Sequence, residues 1–309
     1  MDTTLELPVR GPFSLTRSIR FLEGFAPARY RGPGDDVLRL AFWVEGSSRT
    51  VGVAVRQDRA GAVRATVDGD PPVRLTEQLA RLLSLDVDGA AYPAVAAADP
   101  VVAPLAAETP GSRPVSFCSP YEAACWAVLS QRTSIVAAAS VKARIARQFG
   151  VPHEVDGVAL TAFPAPPRLA EVADELPVPE VKRERLRGLA EAALDGRLDG
   201  GRLRALPVED ALAEVRELPG IGPFSADLVV VRGASAPDVF PMAERRLRQE
   251  MAEQYELDDP TPVELTAIAD RWRPYRTWVA VLLRAARERR TGEIARRRSA
   301  PVTSQAPSG

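Results

Sequence analysis

From Val37 to about Val67, apolar and polar residues alternate with period two. VLRLAFWV, TVGVAVRQ and AVRATVDG each read as a strand with one face in a core, and residues 58–61 (DRAG) supply a hairpin turn between the last two. Ahead of them PFSLTRSIRFLEGF is amphipathic and closes on a glycine. Behind them RLTEQLARLLSLD is a helix with leucines at 75, 79, 82 and 83. Together these predict a small α+β domain with an antiparallel sheet over residues 1–110. Its last part, AAYPAVAAADPVVAPLAAETPGSRP, is proline-rich and is expected to form a helix fragment followed by a linker.

Beyond residue 110 the period becomes helical. Ser119-Pro-Tyr-Glu122 has the form of a capping box with proline at the first helical position. Helix runs through YEAACWAVLSQ, breaks at Gln131–Ser134, and resumes as SIVAAASVKARIARQFG to Gly150. Further helices are expected at 167–175, 180–195 and 208–218. Thr261-Pro-Val-Glu264 opens another, and RTWVAVLLRAARERR places 278, 281, 282 and 285 on one apolar face. The expectation is an all-helical domain over 111–298 and a tail, 299–309, of disordered composition.

Composition narrows the classes. Apolar residues make up 46% of the 309 and charged residues 26%, ordinary for a soluble globular chain. The formal charge of −1 excludes a global basic field, so any nucleic acid must be held by a local patch. No apolar run approaches the roughly 20 residues that span a bilayer, and MDTTLELPVR lacks a signal-peptide layout, so a cytoplasmic location without a membrane partner is expected. Cys118 and Cys125 fit neither a zinc site nor an iron–sulfur cluster and read as reduced thiols. The single histidine, His153, sits in what reads as a polar loop. Only Lys142 and Lys182 are lysines among 40 basic residues.

The stretch that carries chemistry is LPGIGPFSADLVVVRG, 218–233. Leu218, Pro219, Gly220, Ile221 and Gly222 join two helices. The glycines allow positive φ and an arc of bare amides ahead of a helix, a geometry suited to phosphate. Gly-x-Gly alone serves close helix packing equally well.

The longer string resembles the hairpin and following helix of the helix-hairpin-helix DNA glycosylase superfamily. SPYEAACWAVLSQRTSIVAAASVKARIARQFG is similar to that family's earlier helical pair, in which an S/G-Q element ends a helix facing DNA. FPAPPRLAEV and KRERLRGLAEAALDG are similar to its intermediate helices. The N-terminal unit is similar to the extra domain of the bacterial 3-methyladenine DNA glycosylase II branch, and the likeness runs from about residue 12 to 290. It implies an α+β protein whose two helical lobes flip a nucleotide from duplex DNA. It also implies phosphate on the hairpin amides, a monovalent cation on the hairpin carbonyls, no transition metal, no organic cofactor, and a monomer acting on alkylated bases.

Strand-cleaving members carry a lysine two residues after the second hairpin glycine; Phe224 stands there. This leaves hydrolysis of the N-glycosidic bond of alkylated purines. The family's carboxylate for the sugar cation falls, counting from Asp238-Val-Phe240, on Glu244, preceded by Ala243 rather than an acid. Three readings stay open: Glu244 replaces the usual aspartate, lies on a solvated charged face of a protein that only binds lesions, or yields its role to Asp238. For the base pocket the resemblance points to Phe224, with Trp126, Tyr275 and Trp278 as further aromatics that helical spacing equally assigns to cores. The resemblance also implies that the loop holding Gln131 and Arg132 fills the gap left by the flipped base, with Arg132 either stacking or reaching a phosphate there or remaining an ordinary surface arginine. Arg245, Arg246, Arg248 and the run 284–298 are candidates for the DNA backbone, although such runs with interspersed glutamates are ordinarily solvated faces.

Overall fold

The computed structural model describes residues 2–28 and 30–292; the expected tail, 299–309, and the end of the basic run lie outside the described residues. Strands β1 (Asp2–Leu7), β2 (Leu38–Trp43), β3 (Thr50–Gln57) and β4 (Val63–Asp68) form one antiparallel sheet in the order β1-β4-β3-β2. The period-two positions Val51, Val53, Val55, Val63, Ala65 and Val67 are buried against α1 (Leu15–Gly24) and α2 (Leu75–Leu82). The β3–β4 turn closes through Asp58 N–H to Ala62 C=O and Gly61 N–H to Asp58 C=O, both 3.0 Å. β1 was not legible because it is largely exposed and contributes little apolar contrast.

The expected helix fragment and linker form two helices instead, α3 (Tyr92–Ala97) and α4 (Val102–Glu108). Their Ala96 and Val102 share a core with Leu247, Met251, Leu265, Trp272, Val279 and Leu283, far along the chain. Asp99 fixes this junction. Its buried carboxylate accepts from Tyr255 Oη (2.8 Å), Trp272 Nε1 (3.0 Å) and the amides of Val101 (2.9 Å) and Val102 (3.1 Å).

A second core lies in α5 (Pro120–Ser130), α6 (Ile135–Phe149), α7 (Pro166–Glu171), α8 (Glu180–Leu194), α9 (Gly200–Ala205), α10 (Val208–Arg216) and α11 (Pro223–Leu228). After α11 the helix widens into a π turn, Val229–Gly233. Helices α12 (Arg245–Gln254), α13 (Pro262–Ala269) and α14 (Arg276–Thr291) complete the other lobe. The Thr261–Glu264 box forms in full, with Glu264 N–H to Thr261 Oγ1 at 3.3 Å and Thr261 N–H to Glu264 Oε2 at 2.8 Å. The Ser119 box forms by half. Ser119 Oγ accepts from Glu122 N–H (3.2 Å), but the Glu122 carboxylate turns to Lys142 Nζ at 3.0 Å.

One feature corrects the expectation of an all-helical second part. Strands β5 (Val151–Val155) and β6 (Val158–Ala162) form a hairpin, turning at Asp156 (φ 53°) and Gly157 (φ 74°). His153 therefore lies in a strand, not a polar loop, with Nε2 2.9 Å from Thr50 Oγ1. The hairpin lies against the first sheet at Gly52, where a Cβ would come within 2.6 Å of Val155 Cγ2.

Arg113 ties the N-terminal unit to the C-terminal lobe. Its buried guanidinium donates to Pro12 C=O (2.9 Å), Ser84 C=O (2.8 Å), Val87 C=O (3.1 Å) and the carbonyl of Arg10, and lies 5.1 Å from the Trp278 ring. Arg113→Met is expected to cost on the order of 3 kcal/mol, because several buried carbonyls lose a charged donor at once. Urea unfolding checks this, and a cost below about 1 kcal/mol would contradict it.

Candidate active site and nucleic-acid interface

Leu218 and Ile221 anchor the 218–222 hairpin in the core, while Pro219 and Gly222 face outward. The turn closes by Ile221 N–H to Leu218 C=O at 3.1 Å. Gly220 has φ +79°, and a Cβ there would lie 2.6 Å from Arg185 Cδ, so both conformation and space require glycine. Gly222 differs: its φ is −93°, and a Cβ would meet nothing within 4 Å. The second glycine thus leaves an open face rather than a strained turn. The amides of Gly220, Gly222, Phe224 and Ser225 have no acceptor among the described residues, and they cluster where the helical segment 223–233 begins.

One face of α8 holds the hairpin from behind, through residues spaced three apart. Lys182 Nζ donates to Leu129 C=O (2.8 Å), Gln131 C=O (2.9 Å) and Thr133 Oγ1 (3.2 Å), closing the end of α5. Arg185 donates to Gln131 Oε1 (2.6 Å), which leaves the Gln131 amide to donate to Gly220 C=O at 2.6 Å. Gly188 seats Pro219, whose Cγ would lie 2.8 Å from an added Cβ. Gln131 is therefore a clasp on the hairpin. The neighbouring Arg132 is exposed, at φ +52°.

Among the hairpin carbonyls, that of Gly220 is taken by Gln131 and that of Leu218 has one lone pair on Ile221 N–H. The second lone pair of Leu218 and the carbonyl of Ile221 remain as hard oxygen donors, which suit a monovalent cation. Among the described residues no cluster of three or more histidine, cysteine or carboxylate side chains forms a metal site.

Glu244 is the N-cap of α12. Its Oε1 accepts from Arg246 N–H (3.0 Å) and lies 3.9 Å from Arg284 Nε, with the side chain 24% exposed. A carboxylate there sits in positive potential yet keeps an open side. Asp238 is engaged elsewhere, with Arg273 and Arg276 each at 2.8 Å, and ties its loop to the start of α14. Asp227, which the sequence did not single out, is buried on α11 with Oδ2 accepting from Ala243 N–H at 3.0 Å. Burial pushes its carboxyl pKa up; the Glu244 charge adds to this, while Ala243 N–H and Arg216 oppose it.

The aromatic candidates separate. Phe224 is 51% exposed beside the hairpin. Trp126 is buried in the core of the first lobe, so it forms no open wall. Tyr275 and Trp278 pack edge-on with Tyr92, and Tyr275 Oη donates to Asp88 C=O, which makes them core residues too. Arg245 is exposed on α12 and Arg246 half-buried. In the described part of the 284–298 run, Arg287 is buried and Arg290 exposed, and both pair with Glu250 and Glu253 of α12 at 2.6–3.2 Å, which offsets part of that charge. Both lysines are also spent, Lys182 on α5 and Lys142 on Glu122. A pocket of about 450 Å³ opens away from the hairpin, between Thr50 and Gly150.

A helical protein of two lobes, gripping a Leu-Pro-Gly-Ile-Gly hairpin and presenting a capping carboxylate downstream, has the architecture of a DNA glycosylase. A 3-methyladenine DNA glycosylase from Archaeoglobus fulgidus superposes with a TM-score of 0.70 at 20% identity, covering 91% of this chain and 96% of that one. DNA-3-methyladenine glycosylase 2 of Escherichia coli is 32% identical over 180 residues, 56% of this chain and 60% of its own length. A probable bifunctional transcriptional activator/DNA repair enzyme AlkA of Mycobacterium tuberculosis is 28% identical over 279 residues, 89% of this chain; the chain spans only 55% of that relative. No protein-family model matches. The chain thus shares the fold of that solved 3-methyladenine DNA glycosylase and is similar in sequence to these bacterial DNA repair enzymes.

Proposed function

We propose that the chain hydrolyses the N-glycosidic bond of alkylated purines, 3-methyladenine above all, in duplex DNA without cleaving the strand. The observation that carries this reading is the pairing of a bare-amide hairpin with an N-cap carboxylate, Glu244, where no lysine is free to attack the sugar. The hairpin amides bind a backbone phosphate, independent of sequence. The Leu218 and Ile221 carbonyls would hold a monovalent cation, whose charge would strengthen that grip. In this reading Arg132, on the loop that Gln131 clasps to the hairpin, would meet the gap of the flipped nucleotide, Arg245 and Arg246 would meet the DNA backbone, and the exposed Phe224 ring would stack on the electron-poor base.

The methylated base is already cationic, so the C1′–N bond breaks with its electron pair leaving on a neutral base. Glu244 stabilises the positive charge that develops on deoxyribose. Water adds its oxygen to C1′ and releases a proton to solvent, giving an abasic site and free base. Action as a monomer in the cytoplasm, with no redox or organic cofactor, belongs to the same reading.

Duplex treated with a methylating agent tests it. After incubation with the protein, strand breaks are expected only on alkali treatment, and borohydride should trap no covalent complex. Breaks without alkali together with a trapped adduct would show lyase chemistry and overturn the hydrolytic reading.

A further inference from the structure

Asp227 is a carboxylate 7% exposed, between the buried Ala226 and the half-buried Leu228, and its side chain accepts one hydrogen bond among the described residues. An ionisable group buried with so little compensation is costly, and an apolar residue of similar size would avoid the cost. The donor it meets is informative. Between Phe240 and Arg245 the chain is irregular, held locally by Met242 N–H to Phe240 C=O (2.9 Å) and Glu244 N–H to Pro241 C=O (3.0 Å). Ala243 N–H fastens this turn to α11 through Asp227 Oδ2, and the residue after it is Glu244.

The fastening reaches back to the hairpin. Asp227 lies on the same helix as Phe224, five residues after Gly222, about 7.5 Å along the axis. The bare amides, the exposed aromatic ring and the anchor of the Glu244 turn therefore share one short rigid rod. Arg216 of α10 and Glu244 are the charged groups that act on Asp227, with Arg284 of α14 on the far side of Glu244.

We infer that Asp227 is a positioning residue: by holding Ala243 N–H, it sets where the Glu244 carboxylate stands relative to a phosphate bound at the hairpin. The inference rests on the glycosylase reading for its catalytic consequence, though not for the turn itself. Asparagine keeps an acceptor for Ala243 N–H, whereas alanine removes it. Displacement of the carboxylate would impair the chemical step rather than duplex binding.

The test compares wild type, Asp227→Asn and Asp227→Ala for single-turnover base release, for affinity toward a duplex carrying an abasic analogue, and for hydrogen exchange of the Ala243 amide. Asp227→Ala is expected to lose 10–100-fold in rate with affinity within about twofold, and Ala243 to lose protection. Asp227→Asn should restore rate to within about threefold and restore protection. An active wild type matched by Asp227→Ala would overturn the inference, as would equal loss in both variants. A wild type that releases no base would instead overturn the glycosylase reading. The exchange of Ala243 then decides the fastening alone, and unchanged protection in Asp227→Ala would refute it.

Discussion

Glu244→Gln is expected to slow base release by about 10²–10³-fold while leaving duplex affinity within about twofold. Glutamine keeps the shape and an oxygen to accept from Arg246 N–H, so the cap on α12 survives with little loss of stability. What disappears is the negative charge that would offset the cation forming on deoxyribose. Glu244→Asp gives the complementary result: charge is retained but drawn back by one methylene, about 1.5 Å, so an intermediate rate is expected. A Glu244→Gln protein as active as wild type would remove Glu244 from the chemistry. It would also leave no candidate at Asp238, whose carboxylate is held by Arg273 and Arg276.

The two hairpin glycines should respond differently to the same substitution. Gly222→Val fills an open face without strain, because a Cβ there meets no neighbour. It is expected to weaken duplex binding about tenfold at unchanged thermal stability. Gly220→Val places a side chain at φ +79° and against Arg185. It should lower stability by about 1–3 kcal/mol as well as binding, since it disrupts the Arg185–Gln131 clasp. Equal melting temperatures for the two variants would contradict the account of Gly220, and unchanged affinity in Gly222→Val would contradict the phosphate site.

The strands from 38 to 68 were legible because alternation survives wherever one sheet face is buried. The hairpin at 151–162 was not, although Asp156-Gly157 is a strong turn signal, because its strands are short and largely exposed. Helices 92–108 show a different limit. Their alanine and proline content suggested a linker, and the residues that bury them, such as Leu247 and Trp272, lie some 150 positions later. The site divides the same way. Gly220 and Gly222 lie in one local string and could be read from spacing, and Phe224 was reached through the family resemblance of that string. Lys182, Arg185 and Gly188 look like a charged surface helix until Gln131 and Pro219 are brought against them. Asp227 has no sequence signal beyond an acid in an apolar run, since its partner is a backbone amide. Trp126, Tyr275 and Trp278 shared the aromatic character of Phe224, and only packing separates a core ring from a pocket wall.

Hydrolysis is tested most directly by chromatography of free bases released from N-methylated duplex by the wild-type chain in excess over substrate. Release of 3-methyladenine, one base for each abasic site formed, is expected within a single turnover. Tight binding of the methylated duplex with no base released would contradict it and leave a protein that recognises lesions without excising them.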